Sequence, residues 1–206
     1  EKVAGRVPVI AGSGSNCTRE AINISKRAEE VGANGLLCVT PYYNKCTQEG
    51  LYQYYKAISD AVNIPIIMYN IPGRTGTTIQ PETAVRIAKE VKNVVAIKEA
   101  SGNISAVAKL AALADGCIDI YSGNDDQVLP ILSLGGKGVI SVWSHVAPKK
   151  VHDMVYAYLN GDTATATKLQ LEAIDVIGAL FCEVNPIPVK AAMNMLGYNA
   201  GPVREP

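Results

Sequence analysis

Six short, mainly apolar segments punctuate the chain between Val7 and Val142: Val7-Pro8-Val9-Ile10-Ala11, Gly35 to Thr40, Ile64 to Tyr69, Val94 to Lys98, Ile118 to Tyr121 and Gly138 to Val142. Their apolar character is continuous rather than alternating, which marks strands covered on both faces, as in a parallel sheet. Between the early segments, apolar positions recur with helical spacing. Thr18 to Val31, with Asn16 or Thr18 as the cap, Gln48 to Val62, Pro81 to Val91 and Ile104 to Ala114 read as helices, Pro81 suiting a first turn. Past Val142 the pattern is helical only, over Pro148 to Leu159, Asp162 to Phe181 and Pro188 to Leu196. Strand starts fall roughly every 20 to 30 residues, the spacing of βα units. Six such units predict an α/β fold, either a barrel or an open doubly wound sheet, and six strands are two short of a (β/α)8 barrel.

Composition narrows the function class. The chain has 206 residues, 48% of them hydrophobic, which fits one large α/β domain better than two small ones. Nineteen basic and nineteen acidic residues are interspersed, so neither nucleic acid nor an anionic membrane is an expected partner. Apolar runs are strand-sized, well below the ~20 residues of a membrane helix, and no signal peptide is seen, so a cytoplasmic location is expected. The five cysteines (Cys17, Cys38, Cys46, Cys117, Cys182) form no Cys-x-x-Cys pair, and His145 and His152 are the only histidines. Neither a disulfide framework nor a metal site is indicated. Gly12-Ser13-Gly14 lacks the third glycine of a dinucleotide-binding turn, and there is no Gly-x-Ser-x-Gly elbow.

In parallel α/β folds, reactive groups collect at the C-terminal ends of the strands. Here those ends read Gly12-Ser13-Gly14, Thr40-Pro41-Tyr42-Tyr43-Asn44, Tyr69-Asn70-Ile71-Pro72-Gly73-Arg74-Thr75-Gly76, Lys98-Glu99-Ala100, Ser122-Gly123-Asn124-Asp125-Asp126 and Ser141-Val142-Trp143. Lys98 closes a buried strand, where an ammonium is costly and a neutral amine is a nucleophile toward carbonyl carbon; the alternative is a lysine whose head merely reaches solvent. Tyr69 would close the preceding strand, about 4.8 Å away, so its hydroxyl and the Lys98 amine are expected to meet over one substrate atom and relay its protons. Arg74, in a Gly-Arg-Thr-Gly loop, suits a carboxylate. Of the adjacent Tyr42 and Tyr43, at least one is expected to pack on another subunit or a ligand, unless both form a rim over Tyr52, Tyr54 and Tyr55.

Together with Ile97-Lys98-Glu99-Ala100-Ser101-Gly102-Asn103, Gly138-Val139-Ile140-Ser141-Val142 and Asn185-Pro186-Ile187-Pro188-Val189-Lys190, these strand-end motifs closely resemble the dihydrodipicolinate synthase family along nearly the whole chain. The resemblance implies a class I aldolase-like (β/α)8 TIM barrel, a lyase that condenses pyruvate with L-aspartate 4-semialdehyde to 4-hydroxy-tetrahydrodipicolinate on the diaminopimelate route to lysine. It implies Lys98 as the imine-forming residue, Tyr69 as proton relay and Tyr43 as the tyrosine inserted into a neighbouring subunit. It further implies Arg74 as receiver of the semialdehyde carboxylate, and Gly123 and Ile140 as lining of the pyruvate pocket, the latter through its backbone. No cofactor is implied beyond the covalent imine with pyruvate, and the assembly implied is a homotetramer, a dimer of dimers. Asn16, Glu20 and Tyr42 correspond to part of a lysine-binding regulatory site found in some members.

The resemblance places residues 1–160 as family strands 3–8 of the barrel and 161–206 as part of a C-terminal helical region, the chain being truncated at both ends, Glu1 and Arg204-Glu205-Pro206, relative to the family. The family's Gly-Thr-Thr-Gly-Glu segment, which binds the pyruvate carboxylate, has no counterpart in these 206 residues. N-acetylneuraminate lyase and 2-keto-3-deoxy-sugar-acid aldolases share the lysine and the tyrosine; the Arg74-Thr75-Gly76 segment favours the synthase, because a short acidic aldehyde needs a carboxylate partner. A noncatalytic binding protein on a degraded barrel is the alternative of another class.

Overall fold

The computed structural model describes residues 3–205; Glu1, Lys2 and Pro206, and so the outermost residue of each chain end named above, lie outside the described residues. The chain forms two compact units, Glu1–Tyr121 and Ser122–Pro206. The first contains β1 (Ile10–Gly12), α1 (Thr18–Glu30), β2 (Gly35–Val39), α2 (Gln48–Ser59), β3 (Ile66–Asn70), α3 (Pro72–Thr75), α4 (Pro81–Glu90), β4 (Val94–Glu99), α5 (Ile104–Ala114) and β5 (Asp119–Ser122), whose last residue begins the second unit. Strand order follows the chain, β1-β2-β3-β4-β5. Pairing from β1 through β4 is parallel, with Ile10 opposite Gly35, Val39 opposite Tyr69 and Tyr69 opposite Lys98.

The continuous apolar runs behave as expected in the central strands. Leu36, Cys38, Ile66, Met68 and Ile97 are fully buried, as are Leu51, Tyr55 and Ile58 on α2. The i, i+4, i+7 spacing of those three gives α2 one apolar stripe, and each such side chain contributes about 1.5–3 kcal/mol through burial. The outer strand differs. Val7 to Ala11 is not one strand: Pro8 has no N–H for a ladder, and the amide of Val9 donates to the Asn34 side chain at 2.9 Å. The ladder therefore starts at Ile10, which is 45% exposed.

Helix starts show a second departure. The residue capping α1 is Cys17, with no side-chain bond, rather than Asn16 or Thr18. Ser15 does the equivalent work: its hydroxyl accepts from the Cys17 amide at 3.3 Å and donates to Glu20 in the first turn.

The second unit contains α6 (Val128–Ser133), β6 (Gly138–Val139), α7 (Pro148–Leu159), α8 (Thr163–Glu172), α9 (Ile174–Leu180) and α10 (Ile187–Met195). Its core gathers Val128, Leu132, Trp143, Met154, Val155, Ile177 and Leu180. The expected single helix over Asp162 to Phe181 is two, joined at Ala173. Ala166, Gln170, Ala173, Ile177 and Leu180 are all buried, a 4-3-4-3 spacing that reads as one helical stripe in sequence and so gives no sign of the break. The Ala173 amide bonds back to Gln170, three residues away, at 3.2 Å, a tighter turn at the joint between α8 and α9. Strand β6 is shorter than Gly138 to Val142, because the amides of Val142 and Trp143 are taken by the Asp125 carboxylate at 3.0 and 2.9 Å.

Cys38 lies deep in β2. Its thiol is 3.1 Å from the Ser13 hydroxyl, and burial pushes it up to about 11 even though hydrogen bonds with Ser13 and Ser25 act the other way. The thiolate is the reactive form, so Cys38 is expected to resist iodoacetamide in the native chain at about pH 8 while exposed Cys17 and Cys182 are alkylated. Peptide mapping checks this; Cys38 labelled as fast as Cys17 would contradict the buried, protonated thiol.

Candidate active site

Strands β3 and β4 end side by side with Tyr69 opposite Lys98. Register partners on adjacent strands share one face, so both side chains leave the sheet together. Lys98 is half-buried, and its Nζ lies 4.2 Å from the centroid of the Tyr69 ring. The sequence-based expectation placed the amine beside the hydroxyl; the structure places it over the ring face, where the negative side of the ring quadrupole draws an ammonium. Burial raises the Tyr69 phenol above its ordinary value, with the Arg74 charge opposing the rise. At neutral pH Tyr69 is therefore a proton donor rather than a phenolate.

The same tyrosine lines a cleft of about 350 Å³ at the C-terminal ends of β1 to β3, with Gly12, Ser13, Gly14, Tyr42 and Arg74 around it. That is the size of a small-ligand site. Arg74 sits on a one-turn helix, α3, not in a loop. Pro72 presets its first turn and Gly76 ends it at φ 68°, in the left-handed region where glycine is strain-free. Thr75 is buried, its hydroxyl bonded to the carbonyls of Ile71 and Thr77 at 3.1 and 3.0 Å, which leaves the exposed Arg74 guanidinium at the cleft's rim.

The two adjacent tyrosines separate. Tyr42 faces the cleft, whereas Tyr43 is 91% exposed and holds a φ of 70°. A bulky residue in the left-handed region stores about 1–3 kcal/mol of strain. Of the α2 tyrosines, Tyr54, close enough to Tyr42 to feel its charge, and Tyr55 turn inward. They are core residues whose hydroxyls donate to the carbonyls of Ser15 and Cys38 at 3.0 and 2.9 Å. Asn16 and Glu20 lie at the start of α1, and the Asn44 side chain, donating to the Asn16 carbonyl at 3.0 Å, ties that turn to the Tyr42 loop.

In the second unit, Gly123 follows Ser122, and the amide of Ile140 donates to the Ser122 carbonyl at 2.9 Å. Ile140 is thereby placed alongside Gly123. The two histidines stay apart in role. His145 contacts the Val142 carbonyl, and His152 stacks on Tyr156 with ring centroids 4.3 Å apart. Among the described residues no group of three or more His, Cys, Asp and Glu side chains is placed to hold a metal ion, and no helix is long and apolar enough to cross a membrane.

Sequence reasoning missed the residues that hold these positions. Asn70 and Glu99, one step beyond Tyr69 and Lys98, are 2% and 5% exposed and hydrogen-bonded to each other at 2.8 Å. Asp125, 2% exposed, holds the Val142 and Trp143 amides while its carbonyl accepts from Gln170 at 2.9 Å. The available signal was a polar residue directly after a strand-end candidate, which is ambiguous without the facing partner.

Comparison with known proteins places these elements. The profile of the dihydrodipicolinate synthetase family matches residues 1–206. The chain is 56% identical to the 4-hydroxy-tetrahydrodipicolinate synthase of Clostridium tetani over all of its own length and 70% of that protein's. A crystal structure of dihydrodipicolinate synthase superposes on 98% of the chain and 69% of its own at a TM-score of 0.95 and 48% identity. The chloride-inhibited dihydrodipicolinate synthase from Acinetobacter baumannii, solved in complex with pyruvate, matches at a TM-score of 0.93 and 43% identity over 98% of this chain and 72% of that one. The fold class is accordingly α/β, six βα units of a (β/α)8 barrel followed by further helices. By profile, identity and structure, this chain belongs to the dihydrodipicolinate synthetase family.

Proposed function

We propose that the Tyr69–Lys98 pair forms the covalent centre of a 4-hydroxy-tetrahydrodipicolinate synthase. The observation that carries this reading is the in-register placement of the two residues, amine against phenol ring, at the ends of β3 and β4. The neutral Lys98 amine attacks the keto carbon of pyruvate, and the carbinolamine loses water to give an imine. Loss of a methyl proton then yields the enamine, whose carbon attacks the aldehyde of L-aspartate 4-semialdehyde. Transfer of the imine carbon to the substrate's own amine frees Lys98 and closes the ring of 4-hydroxy-tetrahydrodipicolinate. Tyr69, held protonated by burial, supplies the proton for departure of the carbinolamine hydroxyl.

Arg74, at the rim of the same cleft, receives the carboxylate of the semialdehyde, a geometry suited to its forked donors. This is the feature that favours an acidic aldehyde over a sugar as second substrate. Tyr43, exposed and held in a strained backbone, is presented to a second copy of the chain, where its hydroxyl joins that copy's relay. Incubation with pyruvate and borohydride is expected to fix one adduct on the peptide carrying Lys98. An adduct elsewhere, or none, would remove the Schiff-base assignment.

A further inference from the structure

We propose that Asn70 and Glu99 are positioning residues, a buried clamp that selects the strand register in which Lys98 meets Tyr69; the inference rests on the Schiff-base reading above. The need for such a device lies at the other end of the same strand pair. Ile66 is opposite Val94, but Ile67 is opposite Ala96, so β4 carries an extra residue, Val95, which is 45% exposed. Continued from Ile66 without that bulge, the pairing would set Tyr69 against Ile97 and Asn70 against Lys98. A one-residue slip exchanges the faces of a strand, so the nucleophile would turn away from the tyrosine. The first rungs of the ladder therefore do not determine the last ones.

The last rung is where the clamp sits. Asn70 is opposite Glu99, and both side chains point to the face opposite Tyr69 and Lys98. The Asn70 amide Nδ2 donates to Glu99 Oε2 at 2.8 Å, and Asn70 Oδ1 accepts from the Ile79 amide at 3.0 Å. Glu99 Oε1 accepts from the Ser101 amide at 2.7 Å, and the Ala100 amide donates to the Asn70 carbonyl at 2.9 Å. The sense of these bonds is directional: backbone donor to amide oxygen, amide N–H to carboxylate, second backbone donor to carboxylate. In the slipped register a buried Asn70 would face a lysine and the Glu99 carboxylate would lose its partner, a costly outcome for a charge shielded from water.

The directionality supplies a test. Glu99→Gln offers one oxygen where two N–H groups point, and Asn70→Asp sets two carboxylates against each other. The double variant Asn70→Asp/Glu99→Gln reverses the central bond and restores every partner with the same total charge. Pyruvate trapping by borohydride at Lys98 is expected to slow roughly tenfold or more in each single variant and to return to within about threefold of the parent in the double. If a single variant fails to fold, recovery of folding and trapping by the double variant supports the clamp in the same way. Single variants that trap at the parent's rate, or a double variant no faster than the slower single, would overturn it. Should the parent itself trap no pyruvate, the Schiff-base reading fails and the clamp is judged by amide hydrogen exchange. Faster exchange at Ile79 and Ser101 in the singles, restored in the double, supports it; unchanged exchange in the singles refutes it.

Discussion

Lys98→Arg is expected to abolish borohydride-dependent incorporation of pyruvate and to lower the condensation rate by about a thousandfold or more. The substitution isolates the chemistry of one atom. A guanidinium keeps the positive charge and can rest on the face of the Tyr69 ring, where the Lys98 amine now lies 4.2 Å from the centroid. It does not shed its proton in a protein, so it cannot add to a carbonyl. Folding should therefore survive while the covalent step is lost. Peptide mapping after reduction, beside a circular dichroism spectrum matching the parent's, separates the two. A pyruvate adduct that persists in this variant would place the nucleophile on another lysine and remove Tyr69 from its relay role as well.

The limits of the sequence follow from where each interaction finds its partner. Helix α7 was predicted at both boundaries, because Pro148 and the apolar stripe ending at Leu159 are local signals. The strand-end placement of Lys98 and Tyr69 was legible because each closes an apolar run, a feature contained in a handful of neighbouring residues. Strand β6 was overdrawn because its would-be ladder amides are claimed by Asp125, seventeen residues earlier. The Asn70–Glu99 clamp was invisible for a related reason: its members are twenty-nine residues apart, and they face each other only because β4 bulges at Val95. Polar residues that fix a site from behind look, in one dimension, like any loop residue that follows a strand.

Glycines hide a site wall in the same way, and Gly12 and Gly14 are expected to respond oppositely to one methyl group. A Cβ at Gly12 meets nothing within 4 Å, whereas at Gly14 it would lie 2.4 Å from the Val39 amide nitrogen and 2.8 Å from its carbonyl oxygen. Neither residue has a positive φ, so the difference is space rather than backbone freedom. Gly12→Ala should be neutral or stabilise by up to about 1 kcal/mol through the unfolded chain. Gly14→Ala must displace main chain and should cost about 3 kcal/mol, a fall of roughly 6–12 °C in Tm for a chain of this size. The displacement would reach the chemistry, because Val39 is the register partner of Tyr69. It would also work against Tyr54, whose hydroxyl bonds to both the Ser15 and Val39 carbonyls and holds these two segments together. Thermal unfolding of the two variants decides the matter: equal Tm values would mean that the β1–α1 connection yields without strain, and that close packing on Val39 does not set the wall of the cleft.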